Sequence, residues 1–171
     1  MPKGTTQTRL QNIAKEGAQV DIQELNYDDC VRLAAKEADE TPRGVIVQDT
    51  AWDGYEEIPA WIMQGYGTMA MEAGEQLKAQ GCERPTHIFV QAGVGSLAGA
   101  VVGYFSNLYA DNLPTFVVVE AEAAACLYKG AAAGESGAAP FGALAAMMTM
   151  DEYKDLRNDI GLDENSKVLL F

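Results

Sequence analysis

Between Thr86 and Gly99 an apolar run, Ile88-Phe89-Val90, leads into the turn Gln91-Ala92-Gly93-Val94-Gly95, and that turn leads into the helix-forming stretch Ser96-Leu97-Ala98. A buried strand followed at once by a helix leaves few architectures open. Repeated along the chain, that order of elements means an α/β fold with a mainly parallel sheet. The turn also gathers backbone N–H groups and the positive end of a helix dipole at one spot, which suits a phosphate. Gly93 and Gly95 can take positive φ and let a ligand approach the main chain closely. The spacing therefore predicts a phosphorylated ligand there, against the plainer reading of a tight turn with no ligand.

The rest of the chain repeats the alternation. Helices are expected over residues 5–15 (Thr5 or Thr6 as N-cap, Gly17 past the end), 26–40, 59–81, 96–108, 123–128 and 141–148, with one more from an Asp151 cap to about residue 160. Strands are expected over residues 19–22, 44–48, 88–91, 115–119 and 167–171; Gly44-Val45-Ile46-Val47-Gln48 has the continuous apolar character of a buried parallel strand. Strands alternating with helices define an α/β fold with a mainly parallel sheet.

Composition narrows the partners. The 12 basic and 25 acidic residues leave a net charge of −13, with no Lys/Arg cluster for a nucleic-acid backbone or an anionic membrane surface. No apolar run spans a bilayer, and the polar N-terminus does not read as a signal peptide. Cys30, Cys82 and Cys126 show neither zinc spacing nor a disulfide framework, so no metal is expected and a reducing, cytoplasmic location is the simplest account.

Several constellations carry chemistry. Gly93-x-Gly95-x-x-Ala98 satisfies a loose dinucleotide fingerprint, with Glu120 at the end of the next strand where a ribose-binding acid belongs; no Walker A Gly-Lys-Ser/Thr follows. Asp49 directly follows the apolar run 44–48, at the carboxyl edge of a sheet, where open α/β folds bind ligands. There it is placed for proton transfer beside the glycine turn, or it caps the next turn through its side chain. Ser136, in Gly134-Glu135-Ser136-Gly137-Ala138, is a ligand donor or a helix cap. His87 has no Ser or Cys partner at suggestive spacing and reads as structural, and Met147, Met148 and Met150 read as core filler.

Two stretches, Gln48-Asp49-Thr50-Ala51-Trp52-Asp53-Gly54-Tyr55 and Ile58-Pro59-Ala60-Trp61-Ile62-Met63-Gln64-Gly65-Tyr66, resemble diaminopropionate ammonia-lyase. So do the segment from Gln91 to Gly99, Val119-Glu120-Ala121 with Cys126-Leu127-Tyr128, the opening Pro2-Lys3-Gly4, and Asn26-Tyr27-Asp28-Asp29 with Val31-Arg32-Leu33. That family belongs to the fold-type-II pyridoxal-phosphate enzymes, with the three-layer parallel-sheet fold of tryptophan synthase β.

The resemblance implies that Gly93, Val94, Gly95, Ser96 and Leu97 hold the phosphate of pyridoxal 5′-phosphate. It implies that Asp49 removes the α-proton of the L-substrate, and that the loop of Ser136 lies near the cofactor. Elimination of the β-amino group then gives pyruvate and ammonia. Residues 1–48 would form part of the small domain and 49–171 part of the large one, in a family expected to be homodimeric. The family's Schiff-base lysine, its second acid and its glycine-and-asparagine loop belong to a region absent from this sequence, and no lysine here matches. The apolar ending Leu169-Leu170-Phe171 and the tract Gly130-Ala131-Ala132-Ala133-Gly134 suggest an incomplete chain, one inactive by itself. A Rossmann-type dinucleotide protein and a non-catalytic binding module are the competing expectations.

Overall fold

In a computed structural model of the chain, residues 1–120 and 139–171 are described. The expected helix at 123–128, the tract 130–134, Cys126 and Ser136 with its loop lie outside the described residues. The chain divides into two compact units, Met1–Val47 and Gln48–Phe171.

The first unit carries helix α1 (Gln7–Lys15) and helix α2 (Tyr27–Glu40). Thr6 caps α1 by accepting from the Arg9 N–H, satisfying one of the donors a helix start leaves open. Past its end Gly17 takes φ +85° and donates to the Ala14 carbonyl. Asn26 caps α2 by accepting from the Asp29 N–H at 2.9 Å. Its amide also donates to the Asp29 carboxylate, which pairs with Arg32 at 2.7 Å, and that guanidinium holds the Asp29 carboxyl below the usual range. Both charges are exposed, so the pair adds little stability.

Two expectations fail in and beside this unit. Residues 19–22 and 44–48 belong to no strand, and Val45 and Val47 are 67% and 74% exposed. A buried-type strand needs a neighbour for its N–H and C=O groups and a covering layer for its side chains. Apolar composition supplies the side chains but cannot supply the neighbour. The hydrogen bonds near the first segment instead join Lys3 N–H to the Leu25 carbonyl and Gln23 N–H to the Met1 carbonyl.

The second unit is built on a parallel sheet. Its strands are β1 (His87–Gln91), β2 (Thr115–Val119) and β3 (Val168–Leu170), in the order β2-β1-β3, with Ile88 opposite both Phe116 and Leu169. Being central, β1 is covered on both faces. Ile88 and Val90 pack with Ala70 of helix α3 (Glu57–Ala79) and with Ala98, Val101 and Phe105 of helix α4 (Ser96–Leu108). Phe89, pointing the other way, packs with Met147 of helix α5 (Ala139–Thr149) and with Leu162. Helices on both faces of a parallel sheet give the α/β fold expected from the alternation and the three layers implied by the resemblance.

The helix ends follow from composition. α3 closes in a paired-turn cap: Gly81, at φ +76°, donates to Lys78 O, and Cys82 N–H reaches Leu77 O. Met150, not Asp151, occupies the N-cap of the next element, a 3-10 turn over Asp151–Tyr153 that feeds helix α6 (Lys154–Asp159). Asp151 makes no capping bond through its side chain because it already lies inside that turn. His87 is buried; its Nε2–H donates to the Ile160 carbonyl at 2.8 Å, since a carbonyl only accepts.

Helices α3 and α4 run side by side in the same direction. A Cβ on Gly99 would sit 3.1 Å from Met63 Cε, and one on Gly74 would sit 3.7 Å from Phe105 and Leu108 atoms. By contrast, a Cβ on Gly65 or Gly103 would meet nothing within 4 Å. Gly65→Ala and Gly103→Ala should each add about 0.5–1 kcal/mol by lowering unfolded-chain entropy. Thermal melts of the single variants check this, and a fall in Tm for both would show that the helices are not continuous there.

Candidate functional site

The site lies at the carboxyl edge of the sheet, where β1 ends and α4 begins. Gly95 is the N-cap of α4 at φ +99°, a left-handed conformation that favours glycine, and no side chain caps the helix. Gly93 is not among the positive-φ glycines, so only one of the two expected to use that freedom does so. The backbone N–H groups of Gly93, Val94, Gly95, Ser96 and Leu97 have no hydrogen-bond acceptor among the described residues. The first turn of α4 contains no acid to neutralise the dipole. Open donors at the positive end of a thirteen-residue helix make an anion-binding cradle.

Asp49 is tied to this cradle. The Ser96 hydroxyl donates to the Asp49 main-chain carbonyl at 2.6 Å, and the Tyr66 hydroxyl of α3 donates to Asp49 Oδ2 at 3.0 Å. The carboxylate is half-buried and its other oxygen accepts no hydrogen bond among the described residues. It therefore does not cap the following turn. Burial, then the hydrogen bond to Asp49, then its charge push the Tyr66 phenol above the ordinary tyrosine range.

The segment before Asp49 is held as well. Gln48 N–H donates to the Tyr55 hydroxyl at 3.0 Å, and that hydroxyl donates to the Gln48 carbonyl at 3.2 Å. Trp52 stacks on Tyr55 with ring centroids 4.2 Å apart, across a turn at Asp53-Gly54 where Gly54 takes φ +85°. Such turns demand a residue that tolerates positive φ, which the Asp-Gly pair supplies.

The structure thus brings together Asp49 and Gly93, Val94, Gly95, Ser96 and Leu97, while Ser136 lies outside the described residues. The single hydroxyl proton of Ser96 is spent on the Asp49 carbonyl, leaving its N–H as the donor open to an anion. Tyr66 and Tyr55 were not singled out by sequence reasoning. Their contacts to residues 49 and 48 span 17 and 7 positions, beyond any local pattern.

Three lysines among the described residues of this unit sit at the other edge. Lys167 precedes β3 and is hydrogen-bonded to Thr86, just before β1. Lys78 lies in the last turn of α3. Lys154 opens α6, whose Arg157 reaches carbonyls at the far end of α5. None of these three is placed to reach the cradle.

The start of α4, with its open N–H donors, thus lies on the carboxyl edge of a parallel sheet beside a held carboxylate, an arrangement suited to an anionic ligand. Residues 1–160 match the family described as pyridoxal-phosphate dependent enzyme, and the chain belongs to that family, with its fold-type-II α/β architecture. Within it the chain is similar to diaminopropionate ammonia-lyases. It is 54% identical over 131 residues to that of Salmonella typhimurium, covering 77% of this chain and 32% of the relative. It is 45% identical over 135 residues to that of Escherichia coli K12, covering 79% and 33%. A solved Escherichia coli diaminopropionate ammonia-lyase, in complex with an aminoacrylate-PLP azomethine reaction intermediate, superposes with a TM-score of 0.90 at 32% identity, over 99% of this chain and 59% of that one. The chain spans about a third of the length of the curated relatives it matches. Family membership displaces the dinucleotide reading of Gly93, Gly95 and Glu120.

Proposed function

We propose that residues 93–97 form the phosphate cup of pyridoxal 5′-phosphate and that Asp49 is the base of a lyase acting on L-2,3-diaminopropionate. One observation carries the reading: a run of open N–H donors at the start of α4 is joined, through the Ser96 hydroxyl, to the main-chain carbonyl of Asp49, a half-buried acid. When bound, the cofactor supplies an electron sink for the carbanion formed at the substrate's Cα. The chain's own residues do the rest. N–H groups and the α4 dipole hold a dianionic phosphate, and Asp49 stands where a carboxylate can take a proton. Asp49 would take the α-proton, and the electron pair left at Cα would then expel the β-ammonium group, which departs as neutral ammonia. The resulting enamine takes up water to give pyruvate and a second ammonia.

Among the described residues of this unit, Lys78, Lys154 and Lys167 lie away from the cradle, and in this reading the Schiff-base lysine is supplied by residues other than these three. The length of the relatives is consistent with that need. In the same reading residues 1–48 belong to the small domain and 49–171 to the large one, and Ser136 belongs to a loop near the cofactor. The assembly is a cytoplasmic homodimer, and the free thiols Cys30 and Cys82 support a reducing compartment. No helix among the described residues is long and apolar enough to cross a membrane.

The test is binding of pyridoxal phosphate against pyridoxal, which lacks the phosphate, followed by fluorescence or calorimetry. Pyridoxal phosphate should bind, inorganic phosphate should compete, and pyridoxal and NAD should not bind. Equal binding of pyridoxal and pyridoxal phosphate would remove the cup. Gly95→Ala should weaken binding by roughly 10-fold or more, since a left-handed alanine costs about 1–2 kcal/mol and turns the N–H groups away. Unchanged affinity in that variant would place the phosphate elsewhere.

A further inference from the structure

Asp49 sits in a loop, and loop carboxylates ordinarily rotate. Three hydroxyls restrain this one. Tyr55 clips both main-chain groups of Gln48, Ser96 holds the Asp49 carbonyl, and among the described residues Tyr66 alone is hydrogen-bonded to the carboxylate. Tyr66 projects from α3, a helix of 23 residues whose Ala70 is fully buried against the sheet. Ser96 belongs to α4, which packs along α3 through the close approach at Gly99 and Met63. The carboxylate is thus referenced to two rigid helices, and through Ser96 to the anion cradle itself.

We propose that Tyr66 is a positioning residue: its hydroxyl anchors Asp49 Oδ2 so that the other carboxylate oxygen is presented as the proton acceptor at a set distance from the cradle. The inference rests on Asp49 being the base. A carboxylate with one oxygen engaged by a donor has a single free basic oxygen, and its torsion is fixed by that bond. The phenol serves better than a charged donor here, because a lysine or arginine would hold the carboxylate ionised and oppose proton uptake. The raised ionisation of Tyr66 agrees with this, since a phenol that donates to a carboxylate resists losing its proton.

The experiment uses the full chain without ligand, labelled with 3-fluorotyrosine, the Tyr66 signal among seven tyrosines being assigned with Tyr66→Phe. In Asp49→Asn, Tyr66 should ionise at lower pH than in the parent, because two of its three causes are reduced while burial remains. Carbon-13 labelling of aspartate gives the converse view: the Asp49 carboxyl signal, assigned with Asp49→Asn, should shift in Tyr66→Phe at neutral pH. If neither signal responds, the contact does not hold the carboxylate and the proposal fails. Pyridoxal phosphate affinity should be unchanged in Tyr66→Phe, since the tyrosine is outside the cup. Where turnover is measured, Tyr66→Phe should lower kcat by roughly 10- to 100-fold with little change in KM. A full loss in Asp49→Asn with an intact kcat in Tyr66→Phe overturns the positioning role alone. Full activity in Asp49→Asn overturns the base assignment itself.

Discussion

Asp49→Asn should lower pyruvate formation from L-2,3-diaminopropionate by about 10²–10⁴-fold, the range that a positioned general base contributes. The amide has nearly the same shape, and its oxygen can still accept from the Tyr66 hydroxyl, which is 3.0 Å from Oδ2 in the parent. The Ser96 contact is to the main-chain carbonyl and survives the change. The anion cradle and the backbone are therefore left in place, and only proton uptake is removed. Pyridoxal phosphate affinity should match the parent, which separates loss of chemistry from loss of cofactor. The assay is run with the lysine-bearing segment of a relative supplied as a second chain. Activity in Asp49→Asn within a few-fold of the parent would remove Asp49 from the reaction.

The other large effect concerns the support under the cradle. Phe105 is fully buried among Ile88, Val90, Val101 and Ala70. Its ring also meets three aromatic neighbours, Tyr104 at 5.2 Å edge-on, Tyr109 at 5.9 Å stacked and Phe171 at 6.0 Å tilted. Phe105→Ala should cost about 3–5 kcal/mol, combining lost transfer free energy with a cavity that rigid neighbours cannot collapse. Domains of this kind are stable by only about 5–15 kcal/mol, so the loss is a large share of the total. A urea titration should show the midpoint falling with the slope retained. A loss under about 1 kcal/mol would mean that α4 is not seated on β1 through this ring.

Local physics made most of the second unit legible. Thr115-Phe116-Val117-Val118-Val119 and Ile88-Phe89-Val90 are β-branched and aromatic runs between turn residues, and both are strands, paired in parallel as expected. Helix starts at Thr6 and Asn26, and the end at Gly81, followed from side chains that satisfy open N–H groups or tolerate positive φ. Residues 44–48 show where that reasoning stops. Their apolar run is as strand-like as the others, yet Val47 is 74% exposed and the segment belongs to no strand. Pairing is a property of two segments, and composition describes only one. Asp151 failed for a smaller reason, since a 3-10 turn and a cap residue draw on the same residue types.

The glycine turn, the α/β alternation and the acid after the apolar run were all determined by the sequence itself, because each rests on forces acting within a few residues. A positive φ at Gly95 needs no distant partner to be expected, because it follows from the residue type at that position. Only the tertiary structure decided what holds Asp49, because hydroxyls from Tyr66 and Ser96 arrive from two helices packed 17 and 47 positions away. It also decided that the Ser96 hydroxyl serves the Asp49 main-chain carbonyl while its N–H stays open. A hydroxyl's single proton goes to whichever acceptor packing brings within reach, and packing is set by the whole core.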